Sequence, residues 1–470
     1  MTGWILHVPL YTRPFLHSLA TFTVLSDPRM IVHVLANLLV GTAALAAAVD
    51  WRGGFGSRDV SANGTKRTVV TPKVFIISMF SPEADIWYSN ADTPGSIGNL
   101  LAKNITIPGL SPLFPAVHCL EDGSVCQLTT GEAEINAAVT ITALMLSPLF
   151  NLEKTYFLIG GIAGVNPKYG TICDVAFSKY AVQVALQYEF DTREIPSNYS
   201  TGYIPQGSDA PGEYPQNIYG TEVFEVNGAL RDIAAEFART AALNDSSEAV
   251  AYRANYAPAN NASAIYAAAT KKPGIIKCDT ATSDVYYSGV LLGLAFENTT
   301  ALLTNGSGVY CMTAQEDNAT LEALLRGAVH KIVDFSRIII MRTASDFDRP
   351  YPGQSATENL FYSSPGAFDP AVRNIYLAGT PVIKGILGAW EKTFKKGVSP
   401  GHYIGDIFGT LGGIPDFGPG SEFDPEIGQP EKREEGEPVR DRRSMYRKRK
   451  LIPMKGVLGL EVARRANVAL

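Results

Sequence analysis

Metal ligands are scarce in this chain. Its 470 residues include five cysteines and six histidines. The cysteines stand apart at 119, 126, 173, 278 and 311, and neither a CxxC nor an HExxH spacing occurs. Zinc centres need such spacings to gather their ligands. No metal is therefore expected, no cofactor is implied, and His118 and His330 read as ordinary core or surface residues. Long apolar runs are nearly as scarce. Residues 31–49, IVHVLANLLVGTAALAAAV, reach about the length that spans a bilayer, whereas others, such as 291–296, stop after a handful. A transporter built from this chain alone would need several spans, because lipid cannot satisfy backbone N–H and C=O groups. Positive charge is lacking too. The formal net charge is −6, and since 431–450 alone carry +4, the remainder stands at −10. No nucleic-acid partner is expected for so acidic a body.

What is present is the balance of a globular α/β enzyme, with 46% hydrophobic residues, 18% charged and 43 glycines. Strand patterns occur at 74–79, 156–159, 181–190 and 338–341, and helical ones at about 132–146, 230–242 and 318–335. Such alternation predicts one α/β domain over 73–395, a central mixed sheet flanked by helices. Residues 191–217, with Pro196, Pro205, Pro211 and Pro215, form a long irregular excursion that covers the mouth of a site or makes an oligomer contact.

The segment 338–350, IIIMRTASDFDRP, is the most telling. Four apolar residues make a strand buried on both faces. Arg342, Thr343, Ser345 and Asp346 follow at its carboxyl end, the edge where open α/β sheets bind ligands. Asp346 is the first candidate for a catalytic acid, although an Asp after a strand is commonly a turn or helix-capping residue. In 156–165, YFLIGGIAGV, an apolar run meets Gly160, Gly161 and Gly164, where backbone can approach a ligand or neighbour closely. In 308–320, GVYCMTAQEDNAT, Glu316 and Asp317 sit in a half-apolar stretch.

Taken in order, these segments resemble the nucleoside phosphorylase and nucleosidase superfamily, and closely resemble its purine nucleoside permease family, over about residues 73–390. The resemblance implies a nucleoside phosphorylase-like fold and a purine nucleoside (adenosine, guanosine or inosine) as ligand. Residues 315–318, QEDN, are similar to the superfamily's Met-Glu motif with Gln in the Met position, which implies Glu316 on the ribose hydroxyls. Residues 342–346 are similar to its Arg-x-x-Ser-Asp motif, whose Asp donates a proton toward N7 of the purine. Asp346 is then the acid, with Ser345 beside the base. The glycine-rich strand end is matched by Gly161 and Gly164, and the glycine-bearing loop before the first long helix by Gly131. Residues 170–175, GTICDV, resemble the Gly-Asp-Val element, with Cys173 where Gly is expected. Phe347 or Tyr351 is near enough in sequence to stack on the base. By analogy with the superfamily, a homo-oligomer, dimer or trimer, is expected.

Breaking an N-glycosidic bond passes through an oxocarbenium-like sugar, so a site must neutralise charge leaving onto the base and hold the ribose. One carboxylic acid and one carboxylate meet those needs. Phosphorolysis further requires cations, typically an Arg beside a Gly-rich turn. Residues 129–138, TTGEAEINAA, place Glu132 and Glu134 there instead. Water is therefore favoured, with Glu83 to orient it. Equally, Glu83 after Pro82 fits a helix start, and Glu132 a helix first turn. The competing function is capture of purine nucleosides to assist their uptake, without turnover.

The run at 30–49 ends in Ala46, Ala47 and Ala48 and reads as a signal peptide, or else as an uncleaved anchor giving peripheral or anchored membrane association. Residues 1–29 then read as an extension and 50–72 as a linker. Eight Asn-x-Ser/Thr sequons, at 63, 104, 198, 244, 261, 298, 305 and 318, fit the secretory pathway, cell surface or endomembranes. Asn318, two residues from Glu316, should stay unmodified. Cys119 and Cys126 flank a short turn and are the favoured disulfide in an oxidising lumen. Residues 396–470, Gly- and Pro-rich and then basic, read as a disordered tail.

Overall fold

The computed structural model describes residues 69–217, 219–257 and 265–399. The expected extension at 1–29, the apolar run at 30–49, the linker up to 68, the tail from 400 and the sequons at Asn63 and Asn261 lie outside the described residues. Just inside them, Val70 bridges to Phe150.

The chain runs through β1 (Val74–Ser78), α1 (Ser81–Tyr88), β2 (Lys103–Thr106), β3 (Ala116–Cys119), β4 (Val125–Thr129), α2 (Glu134–Leu146) and β5 (Tyr156–Val165). There follow β6 (Val175–Ser178), β7 (Tyr180–Gln183), β8 (Gln187–Glu189), β9 (Tyr203–Pro205), β10 (Val223–Glu225), α3 (Gly228–Ala238) and α4 (Ser247–Arg253). Then come β11 (Ile275–Lys277), β12 (Asp279–Thr282), α5 (Val290–Leu303), β13 (Tyr310–Ala314), α6 (Asp317–Val329), β14 (Ile338–Phe347), α7 (Ala356–Phe361) and α8 (Phe368–Gly388).

Twelve of these strands form one mixed sheet, and β8 and β9 pair separately. The centre is parallel, with β5 between β1 and β14, and its strands are apolar on both faces because helices cover both. Phe75, Ile77, Phe157, Ile159 and Ile340 pack toward Ile141 and Leu144 of α2 and Leu321 and Leu324 of α6. The alternate residues Val74, Ile76, Leu158, Ile339 and Met341 meet α3 and α8 through Leu230, Ile375 and Val382. Period-two alternation thus fills two cores from one sheet.

Several boundaries differ from expectation, each for a physical reason. The strands expected at 156–159 and 338–341 run on to Val165 and Phe347, because glycines and polar residues continue the pairing after the apolar run ends. The strand expected at 181–190 stops at Gln183, and Gln187–Glu189 turn out to join β9. The helix expected at 318–335 ends at Val329, past which Lys331 takes φ 58°. The excursion at 191–217 contributes nothing to the lining of the cavity described below. Cys119 and Cys126 face each other across β3 and β4 and are joined. A second disulfide, Cys278–Cys311, ties the starts of the parallel neighbours β12 and β13.

Candidate functional site

The site exists because β5 changes neighbours. Residues 156–159 pair with β1, and Val165 pairs with Met312 of β13. Between these pairings β5 keeps β14 on one side and borders a crevice on the other. Two N–H groups on that open side are satisfied by side chains: Ile162 donates to Glu83 Oε1 and Gly164 to Thr313 Oγ1, each at 2.8 Å. The crevice widens into a cavity of about 260 Å³, close to the lower end, roughly 300 Å³, of small-molecule pockets.

One end of the cavity is a buried charge cluster. The Arg342 guanidinium donates to Asp317 through Nε and Nη2, to Glu316 Oε2 at 3.3 Å, and to the Ile162 carbonyl at 3.2 Å. Glu316 also accepts from the Ala133 N–H at 3.0 Å. Glu83 accepts from Met79 N–H at 2.7 Å through its other oxygen. Burial pushes the Glu83 carboxyl up to about 8 against the opposing pull of Arg342. Burial likewise raises Glu316, again opposed by Arg342. Gly161 makes room for this convergence, since a Cβ there would stand 2.6 Å from Glu83 Oε1 and 2.7 Å from Arg342 Nη1.

Asp346 occupies the other end, and it lies within a strand rather than in a loop after one. The register of β14 against β5 shifts between Ala344 and Asp346, a bulge at Ser345 that re-aims the carboxyl. Ser345 Oγ donates to the Ala163 carbonyl at 3.1 Å. The Tyr286 hydroxyl donates to Asp346 Oδ2 at 2.5 Å. Burial raises the Asp346 carboxyl to about 6, and the Tyr286 hydrogen bond works against that rise. Close approach at Gly164 is required here too, because a Cβ would lie 3.0 Å from Asp346 Oδ1.

The structure therefore brings Asp346, Glu316, Glu83, Ser345 and Gly164 to one cavity. It does not bring Gly131, which sits at φ 85° against Asn136 and leaves Glu132 at the mouth. Phe347 borders the cavity, but its ring is packed on Tyr256 at 4.1 Å and stacked on Tyr252 at 6.4 Å, so it is a wall and not a free stacking face. Tyr351 joins the same aromatic group away from the lining. The aromatics that do line the cavity from elsewhere, Phe80, Tyr286, Tyr287 and Phe368, carried no sequence signal beyond residue type. Cys173, where Gly was expected, adopts φ 72°. Its N–H donates to the Ala344 carbonyl at 2.7 Å, which holds the turn against the bulge in β14.

With this geometry in place, the chain can be compared with known proteins. A family model described as purine nucleoside permease matches residues 71–399, past the limit expected near 390. A purine nucleoside permease of Candida albicans is 47% identical over 406 residues, covering 85% of this chain and 95% of that protein. A probable purine nucleoside permease of Schizosaccharomyces pombe is 42% identical over 334 residues, covering 69% and 92%. Among solved structures, a 5′-methylthioadenosine/S-adenosylhomocysteine nucleosidase from Neisseria meningitidis, in complex with methylthio-immucillin-A, is similar with a TM-score of 0.40 and 13% identity, over 67% of this chain and 100% of that one. The family match and the two identities agree: the chain belongs to the purine nucleoside permease family.

Proposed function

We propose that this protein binds purine nucleosides and cleaves their N-glycosidic bond with water. The observation that carries the reading is that Asp346, near the end of β14, and Glu316, between β13 and α6, line one cavity. A carboxyl at about 6 suits proton transfer to a departing base near neutral pH. Glu316, fixed by Arg342 and the Ala133 N–H, is an acceptor for ribose hydroxyls. The names of the relatives, purine nucleoside permease, support the ligand class.

Electrostatics favour an uncharged nucleoside and water over a nucleotide or phosphate. Lining acids Glu83, Glu132, Glu316, Asp346 and Asp348 face a single lining cation, Arg342. That guanidinium is already engaged by Asp317 and Glu316, and stripping a partner from a buried charge pair is costly. Incubation of the purified protein with adenosine or inosine, with and without phosphate, tests the reading. Free base without phosphate is the expected result; a strict phosphate requirement overturns it in favour of phosphorolysis.

One observation favours a second reading, capture without turnover in support of uptake. Both Glu83 oxygens accept backbone N–H groups, and burial holds its carboxyl at about 8, so near neutral pH it is mostly protonated and not available as a base for activating water. Among the described residues no helix is long and apolar enough to cross a membrane, and this reading assigns the described domain to capture. Tight binding of inosine with no base released is its signature. Both readings place the domain in a lumen or at the cell surface, where disulfides such as Cys119–Cys126 and Cys278–Cys311 persist.

A further inference from the structure

Asp346 does not stand free in the cavity. Its Oδ1 lies toward β5, 3.5 Å from Ser345 Oγ and 3.0 Å from the place a Cβ on Gly164 would take. Its Oδ2, the oxygen not backed by that strand, is held by the Tyr286 hydroxyl at 2.5 Å. The Ser345 hydroxyl proton goes to the Ala163 carbonyl, so Oδ2 is the oxygen of Asp346 that a side chain of the protein itself holds.

Tyr286 belongs to the loop 283–289 between β12 and α5, whose backbone is fixed on both sides. Ser283 N–H donates to the Ala314 carbonyl at 2.9 Å, and Val285 N–H to Ser283 Oγ at 3.0 Å. Downstream, Asn359 Nδ2 donates to Ser288 Oγ at 2.9 Å, and Gly289 N–H to the Asp348 carbonyl at 3.1 Å. Its neighbour Tyr287 is anchored through Tyr310 at 2.9 Å and edge-on to Phe296 at 4.7 Å. Tyr286 differs from it: the side chain is at the cavity yet the residue is 65% exposed. It can leave Asp346 by rotating about its own side-chain torsions, with no movement of the loop.

We propose that Tyr286 is a side-chain latch that selects ligands: its hydroxyl holds Asp346 in the empty site and is exchanged for an acceptor nitrogen in the five-membered ring of the incoming base. This inference rests on the purine reading of the site. In the exchange Asp346 turns from acceptor to donor and takes up one proton from solvent. The groups facing it are Tyr286 from the loop, Asp348 and Ser345 from its own strand segment, and the Tyr256 phenol from the turn before residue 257. The Asp346 charge raises the Tyr286 phenol, which keeps it an O–H donor. A ligand lacking the ring nitrogen has nothing to exchange and binds with the latch closed.

The test is calorimetric binding of inosine and of 7-deazainosine, which carries carbon in place of that nitrogen, to the full chain and to Tyr286→Phe and Tyr286→Ala. The closed latch lowers the fraction of protein competent to bind a ligand that needs the exchange. Both substitutions should therefore tighten inosine, on the order of tenfold, and leave 7-deazainosine unchanged. An unchanged or weakened inosine affinity in Tyr286→Phe overturns the latch, as does an equal gain for both ligands. A gain in Tyr286→Ala alone assigns the effect to ring bulk and overturns the role of the hydroxyl. A wild-type protein that binds no purine nucleoside is a separate result, which sinks the purine reading and the latch with it.

Discussion

Arg342 grips Asp317 at two points, with Nε and Nη2 of the guanidinium each donating to a carboxylate oxygen, and both side chains are almost wholly shut off from solvent. The same Nη2 reaches Glu316, so one cation orders two acids beside the cavity. Arg342→Met would leave both carboxylates buried without their partner. The expected cost is about 3–5 kcal/mol of folding free energy, read from urea denaturation. Replacing Asp317 with Leu in the same protein should recover part of it. A single-mutant loss below about 1 kcal/mol would mean that the pair does not hold the site together.

Asp346 carries the chemical half of the proposal. Asp346→Asn keeps the shape and still accepts from Tyr286, but it has no acidic proton to give. Base release should fall at least about a hundredfold, the low end of what a positioned general acid contributes. Inosine binding should change far less. Ser345→Ala, which removes only the hydroxyl bonded to the Ala163 carbonyl, should have a much smaller effect on rate. A full rate in Asp346→Asn removes this residue from the mechanism.

The glycine and motif positions show why some of this was legible before the structure and some was not. The strands at 74–79, 156–159 and 338–341 stood out because doubly buried strands are continuous apolar runs. Their functional extensions did not, since Gly160, Gly161 and Gly164 and the polar stretch from Arg342 to Asp346 end the run while the hydrogen-bond ladder continues. Cys173 was recognisable as a glycine position, and its φ of 72° explains the preference. Tyr286 was invisible, because its partner lies 60 residues away and nothing local marks an aromatic as a lid over an acid. The adjacent acids Glu316 and Asp317 also looked equivalent. Only packing separates the one that lines the cavity from the one that anchors Arg342.

Buried acids give the domain a characteristic pH response. Glu83 rises from its ordinary 4.5 to about 8, Asp174 from 3.8 to about 7 and Asp346 from 3.8 to about 6, each chiefly through burial. The folded state therefore binds protons more tightly than the unfolded chain, and the stability these groups contribute is full below their ordinary values. It is lost as pH climbs through the folded ones. Folding free energy should decline between about pH 5 and 8, by at most about 1.4 kcal/mol per pH unit for each group. Glu83→Gln should flatten the upper part of that decline. It should also impose a pH-independent loss, because the amide nitrogen cannot accept from the Met79 or Ile162 N–H. A decline of the same steepness in wild type and Glu83→Gln would show that Glu83 does not titrate across this range.

The sequons divide by packing in a way that tests the proposed compartment. Asn104, Asn198, Asn244, Asn298 and Asn305 are exposed, so their amide nitrogens have room for a glycan. Asn318 is 2% exposed and its Nδ2 donates to the Thr221 carbonyl at 2.7 Å. A sugar on that nitrogen would break the bond and force α6 off the sheet, which removes the support of Glu316 and Asp317. Peptide mapping of protein purified from its own cells, after enzymatic deglycosylation in heavy-oxygen water, should mark at least one of the five exposed sites and never Asn318. Absence of label at all five, and at the sequons Asn63 and Asn261 as well, would withdraw the secretory location. Label at Asn318 in folded, ligand-binding protein would contradict the packing of α6 on which the ribose end of the site depends.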